Sequence, residues 1–249
     1  VQGQNPLALS DQQQAVSSIL GLLRLCHLLD GDPVIICALV QKRSYWHGRR
    51  ALETLLNMRT LTDPQLVLLQ KAFANFNWEK RFSIAIIGER SMLLGTEETF
   101  RTGTPEEHEK VDSQELISRP TRLFLKSRTE TMRDREMTTL IACYSEFLAG
   151  LRKGYPNFAT FYDEQGAYAK KWDKWTGLIS KRRHTIKYPL SNIMAHALTR
   201  VAKQVHFAVL DQQFTTTALA IERYRLANRG RIPGTLRELV PNYLLAHPF

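Results

Sequence analysis

The sequence predicts an all-α fold, an irregular multi-helix bundle of about seven helices with a long central C-terminal helix. Apolar residues recur every three to four positions through most of the chain, as on the buried stripe of a helix. Cap-and-proline pairs open segments at Asp32-Pro33 and Thr62-Asp63-Pro64. A run from Pro189 continues to Asn228 before Gly230 stops it.

The first helix is expected to start at Ser10, followed by Asp11 and Gln13, and to carry Ile19, Leu22, Leu23, Cys26 and Leu29 until Asp30-Gly31 ends it. Asp32 then caps a second helix with Pro33 in its first turn, running to about Arg59. So short a turn makes the two antiparallel neighbours. Thr62-Asp63-Pro64 opens a third helix with Leu66, Leu69, Phe73 and Phe76 on its buried stripe and an end near Asn77. Trp78 to about Phe100 reads as a fourth, with Phe82, Ile86 and Leu93 apolar.

Residues 101–118 lose the periodicity and gain charge, which predicts a flexible connection. A fifth helix is expected from Pro120 to Lys153, apolar in its second half at Met137, Leu140, Ile141, Tyr144, Leu148 and Leu151, and stopped by Gly154-Tyr155-Pro156. Phe158 to Lys181 reads as partly helical, weakened by Gly166 and Gly177. The run from Pro189 to Asn228 would be about 60 Å long at 1.5 Å per residue. Its middle is apolar on several faces at Val201, Val205, Phe207, Ala208, Val209 and Leu210, as expected of a helix with neighbours all round. The β-branched Thr215-Thr216-Thr217 is where a bend is expected, and a short last helix runs from Thr235 to Val240. The expected organisation is N-terminal helical hairpins over 1–100, the connection at 101–118, and a C-terminal helical region over 119–249 packed on the first, or one domain throughout.

Hydrophobic residues form 43% and charged residues 23% of the chain, a globular mixture that can bury a core. The longest apolar run, Val34 to Val40, is far short of the roughly 20 residues a bilayer-spanning helix needs. The opening Val1-Gln2-Gly3 lacks a Met, which suggests a piece of a longer polypeptide. Cys26, Cys37 and Cys143 are too few for a disulfide framework and read as small packed thiols, although Cys26 and Cys37 flank the turn closely enough to face each other. A net charge of +10 favours anionic partners, whether nucleic acid, anionic lipid or acidic protein.

No Gly-rich phosphate loop, His-Glu-x-x-His, Gly-x-Ser-x-Gly or Cys-x-x-Cys occurs, so the familiar catalytic signatures are excluded. No cofactor and no metal site is expected. Arg43, His47 and Arg50 share one helical stripe that suits an anion, though Glu53 lies close enough to pair with Arg50 on a solvated face. Gly88-Glu89-Arg90 interrupts the apolar stretch from Ile84 to Leu94. Adjacent helical residues diverge by about 100°, so one of Glu89 and Arg90 must face a neighbouring helix, as a structural ion pair or as a catalytic carboxylate with His47 as a further candidate.

Between Tyr168 and Tyr188, Lys170, Lys171, Lys174, Lys181, Arg182, Arg183 and Lys187 stand against one acid, Asp173, interleaved with Trp172 and Trp175. Cations among aromatics suit nucleic-acid phosphates with base stacking, or a lipid headgroup layer. The plainer reading is an exposed basic helix with both Trp residues packed inward. His196 and His206 are about 80° out of register and form no ligand pair.

Ala218-Leu219-Ala220-Ile221-Glu222-Arg223-Tyr224-Arg225-Leu226-Ala227-Asn228-Arg229-Gly230-Arg231-Ile232-Pro233, then Leu236 to Leu244 and His247-Pro248-Phe249, resembles the closing segment of uncharacterised bacterial helical proteins with an N-terminal membrane anchor. It is more distantly similar to the helix-and-loop of major pseudopilins. The resemblance implies a bacterial envelope location in preference to the cytoplasm, and it concerns packing: a helix stop, a proline turn and a short capping helix. The functional expectation is a non-catalytic helical scaffold or interaction protein of the envelope with a protein partner. The alternatives are a nucleic-acid-binding protein acting through 168–188 and an enzyme centred on Glu89.

Overall fold

The computed structural model describes residues 6–58, 61–102, 130–154 and 189–244, and all regular structure among them is helical. Six α-helices follow in order: α1 (Pro6–His27), α2 (Ile35–Met58), α3 (Asp63–Ala74), α4 (Trp78–Thr102), α5 (Glu130–Arg152) and α6 (Pro189–Ala227). A 3-10 turn at Leu236–Leu239 closes the series. The all-α, multi-helix expectation therefore holds. The expected connection beyond Thr102 and the partly helical stretch from Phe158 to Lys181 lie outside the described residues.

Two helix starts differ from the sequence reading. α1 begins at Pro6, with Ser10 already inside it. Proline fits a first helical turn because the amide it lacks would have no partner there anyway. α2 begins at Ile35 rather than Pro33, and the carboxylate that receives its first amide is not that of Asp32. Glu89 on α4 supplies it, with the Ile35 N–H donating to Glu89 Oε1 at 3.0 Å. α3 starts as its sequence predicts: Asp63 and proline occupy the first turn, and the Thr62 N–H donates to Gln65 Oε1 at 2.9 Å.

The 39-residue α6 is continuous through Thr215-Thr216-Thr217, the place where a bend is expected. The Thr215 and Thr216 hydroxyls donate to the carbonyls of Asp211 and Gln212, at 2.6 and 2.9 Å, so they satisfy themselves within the helix. Arg229 (φ 52°) and Gly230 (φ 90°) then turn the chain, and the Gly230 N–H closes on the carbonyl of Arg225. The short last helix appears as the single 3-10 turn.

The chain forms two compact units, and both are discontinuous in sequence. One joins residues 1–32, 36–81 and 207–249; the other joins 33–35 and 82–206. The first is built round aromatic rings. Tyr45 meets Phe73, Phe76 and Trp78 edge-on with centroids 5.3, 5.0 and 5.3 Å away, Phe76 stacks on Trp78, and His27 stacks on Phe76. Edge-on pairs set the positive rim of one ring against the negative face of another, so the cluster gains more than area burial alone.

In the second unit, Met137 and Leu140 of α5 form a core cluster against Leu93 of α4 and Met194 of α6. Val205 is fully enclosed there, as α6's apolar middle predicts, whereas Phe207, expected in the same enclosed group, belongs to the first unit and is exposed. At Gly88 a Cβ atom would lie only 1.9 Å from the backbone oxygen of Pro33. No other residue fits that approach, which also brings Glu89 to the start of α2.

Candidate functional site

α2 has one buried and one exposed face. Ala38, Gln41, Tyr45, Gly48, Leu52 and Leu55 recur at helical spacing on its buried face. The opposite line carries Ile36, Val40, Arg43, His47 and Arg50, all exposed, with Ile36 at 61% and Val40 at 48% of full accessibility. One face makes the core and the other is available for recognition.

Trp46 sits half-buried beside this outer line and organises it. The Arg43 guanidinium carbon lies 4.4 Å from the Trp46 ring centroid and that of Arg50 lies 5.0 Å from it, while His47 meets the indole edge-on at 5.1 Å. Arg43, His47 and Arg50, read from the sequence as one stripe, are thus brought together around an indole. Stacked on a ring, a guanidinium keeps its N–H edges turned outward and loses little rotamer freedom on binding a carboxylate or phosphate.

The expected Arg50–Glu53 pair does not form. Glu53 is met by Arg49 at 3.5 Å, and Arg49 reaches Asp211 on α6 at the same distance. Arg49 lies one residue round the helix and four before Glu53, a spacing at which helical side chains meet. Arg43 and Arg50 consequently make no ion pair among the described residues. Next to them the Lys42 ammonium sits 6.0 Å from the Phe207 ring. Partial burial lowers its pKa, the Asp211 carboxylate opposes that shift, and Arg43 adds to it.

Glu89, Arg90 and His47, the candidate catalytic residues, divide between the units, with His47 in the first and the other two in the second. Glu89 Oε1 is engaged by the Ile35 amide, and Arg90 is half-buried. Burial raises the Tyr144 phenol well above its ordinary value, and the charge of Glu89 adds to the effect. Lys170, Lys171, Trp172, Lys174, Trp175, Lys181, Arg182 and Arg183 lie outside the described residues.

A second polar cluster, which sequence reasoning missed, faces inward. Arg81 is 4% exposed; its Nε donates to Gln41 Oε1 and its Nη1 to the carbonyl of Asp32, both at 2.8 Å, while Gln41 Nε2 donates to Asp30 Oδ1. Removal from water lowers the Arg81 pKa, and Cys37, Asp30 and Asp32 work against that. Further along, Gln212 Nε2 on α6 faces the carbonyls of Phe73, Ala74 and Phe76 at 3.3, 2.8 and 2.9 Å. The first two belong to the last turn of α3, which leaves them without helical partners, and the third follows the helix end. Gln70 on α3 reciprocates by donating to the carbonyls of Thr216 and Tyr243. The sequence hardly marks them: Gln212 stands between Asp211 and Gln213, and Gln41 and Gln70 are each followed by a lysine.

The three cysteines are free thiols, Cys26 buried and Cys37 and Cys143 partly so. Burial raises all three pKa values, with the Asp32 carboxylate adding at Cys37 and Glu146 at Cys143, which keeps them protonated and poor nucleophiles at neutral pH. Among the described residues no group of three or more His, Cys, Asp or Glu side chains is placed to hold a metal ion.

At the C-terminal end the Tyr224 hydroxyl donates to Glu238 at 2.8 Å and Arg223 pairs with Asp63 at 2.8 Å, fastening the last turn and α6 to each other and to α3. No protein-family model, curated protein or solved structure matches this chain. The site must therefore be read from its own chemistry. Among the described residues no helix is long and apolar enough to cross a membrane.

Proposed function

We propose that this protein is a non-catalytic helical scaffold or interaction protein of a bacterial envelope, working through its surface. One contrast carries the reading. The polar side chains drawn inward (Arg81, Gln41, Gln70, Gln212 and Glu89) are engaged in joining helices, whereas Arg43 and Arg50 stand outward on α2 against an indole and make no ion pair among the described residues. Uncommitted cations on a convex helical face suit recognition of an extended partner rather than the enclosure of a small substrate. The likeness of residues 218–249 to the closing segment of anchored bacterial helical proteins supports the envelope assignment.

The test is purification of the tagged protein from its native host after mild cross-linking, with mass measured by light scattering. A stoichiometric partner or a defined homo-oligomer supports the reading. A monomer without partners that consumes a compound in an unbiased metabolite screen would overturn it.

A further inference from the structure

We infer that the outer face of α2 docks this protein onto an anionic lipid surface, with Arg43 and Arg50 taking headgroup phosphates or carboxylates and Ile36 and Val40 entering the boundary beneath them. This goes beyond the proposal of a protein partner and does not require one. It stands on the residues of α2 and on the part of α6 beside it.

The charge around this face is unbalanced. Glu53 and Asp211, the carboxylates within reach of its cations, are both met by Arg49, which leaves Arg43 and Arg50 without an opposite charge among the described residues. Each basic residue held near an anionic membrane contributes roughly 1 kcal/mol of attraction, decaying within a Debye length. Two guanidiniums that lie 4.4 and 5.0 Å from a single ring centroid share one stretch of the α2 surface, so one headgroup layer can meet both.

Apolar tips flank the cations. Ile36 and Val40 continue the same line toward the start of the helix. On α6, Phe207 and Phe214 are two turns apart on one side, each 53% exposed, with Asp211 between them reaching α2 through Arg49 and with Lys42 beside Phe207. Exposed aliphatic and aromatic groups next to Arg and Trp are the composition of a surface that rests in the headgroup layer.

Nucleic acid suits this face less well. Ile36 and Val40 would stay in water on a phosphate backbone, and the Trp46 ring is occupied by guanidiniums instead of being open for a base to stack on. An acidic protein helix would need a groove to lie in, whereas the outer line of a single helix is convex and matches a soft, flat layer.

The experiment is co-sedimentation of the full chain with sonicated vesicles of phosphatidylcholine alone or with 30% phosphatidylserine, a composition of roughly physiological charge. Binding is expected only to the anionic vesicles and should weaken with added salt. The double variant Arg43→Glu/Arg50→Glu should lose at least about tenfold in partition, Arg43→Gln/Arg50→Gln should lose less, and Ile36→Ser/Val40→Ser should weaken binding that persists in high salt. Circular dichroism confirms that each variant is folded, and the glutamine pair remains informative if the glutamate pair is not.

Equal binding to both vesicle types, no binding, or anionic binding unchanged in the Arg43/Arg50 variants would each overturn the inference, the last by assigning it to another part of the chain. Binding to a short oligonucleotide that depends on Arg43 and Arg50, with no vesicle binding, would overturn it in favour of nucleic acid. Failure of the vesicle test leaves the protein-partner reading standing, because that reading is decided by cross-linking.

Discussion

Arg81 and Arg43 carry the same guanidinium on neighbouring helices of one unit, and their surroundings are opposite. Arg81 is enclosed, with two of its nitrogens committed to Gln41 and to the Asp32 carbonyl. Arg43 is exposed and rests on Trp46. An enclosed guanidinium must have partners, because desolvating it without them costs several kcal/mol. An exposed one keeps its water until a ligand replaces it. The residue type therefore says little about role, and the number of committed N–H groups says much more.

The sharpest way to break this contrast is Arg81→Met. It should destabilise the protein by about 3 kcal/mol, because the Gln41 and Asp32 oxygens lose a charged donor inside the fold. A chemical denaturation midpoint close to that of the wild type would show that the network is dispensable.

A smaller effect is expected at Gln212. Changing it to Ala removes the side-chain amide from the end of α3 and should cost about 1.5 kcal/mol, visible as a lower thermal midpoint and faster amide exchange in the last turn of α3. On the outward side, Arg43→Gln should leave stability within about 0.5 kcal/mol of the wild type while weakening anionic vesicle binding. A large stability loss there would mean that Arg43 is structural after all, and the contrast with Arg81 would fail.

The smallest expected effect depends on pH. The hydrogen bond from Tyr224 and the amide of Thr235 hold the Glu238 carboxyl below its ordinary value. A depressed carboxylate stabilises the fold above its unfolded pKa, and that contribution disappears as pH falls through the folded value. Glu238→Gln should thus be slightly less stable than the wild type at neutral pH, with the difference closing on acidification below about pH 4. Parallel unfolding curves at every pH would rule out this linkage.

Several of these features were legible along the chain. The stripe of Arg43, His47 and Arg50 follows from a period of 3.6, and so does the enclosed middle of α6 at Val205. Glu89 was legible as the polar residue that must meet a neighbour, because charge does not enter an apolar stretch alone. That its partner is the Ile35 amide was not, since 54 residues separate them. Arg81 looks in sequence like any helical surface arginine, and Trp46 like one more apolar residue beside the stripe.

What the sequence alone settled is local: the helical period, most helix ends and the excess of positive charge, because each depends on residues within a turn or two of one another. Which cation is enclosed, which acid Arg49 takes from Arg50, and where Gln212 finds its carbonyls were decided only when distant segments came together. Burial and partnership belong to pairs of segments, and a linear pattern carries just one member of each pair.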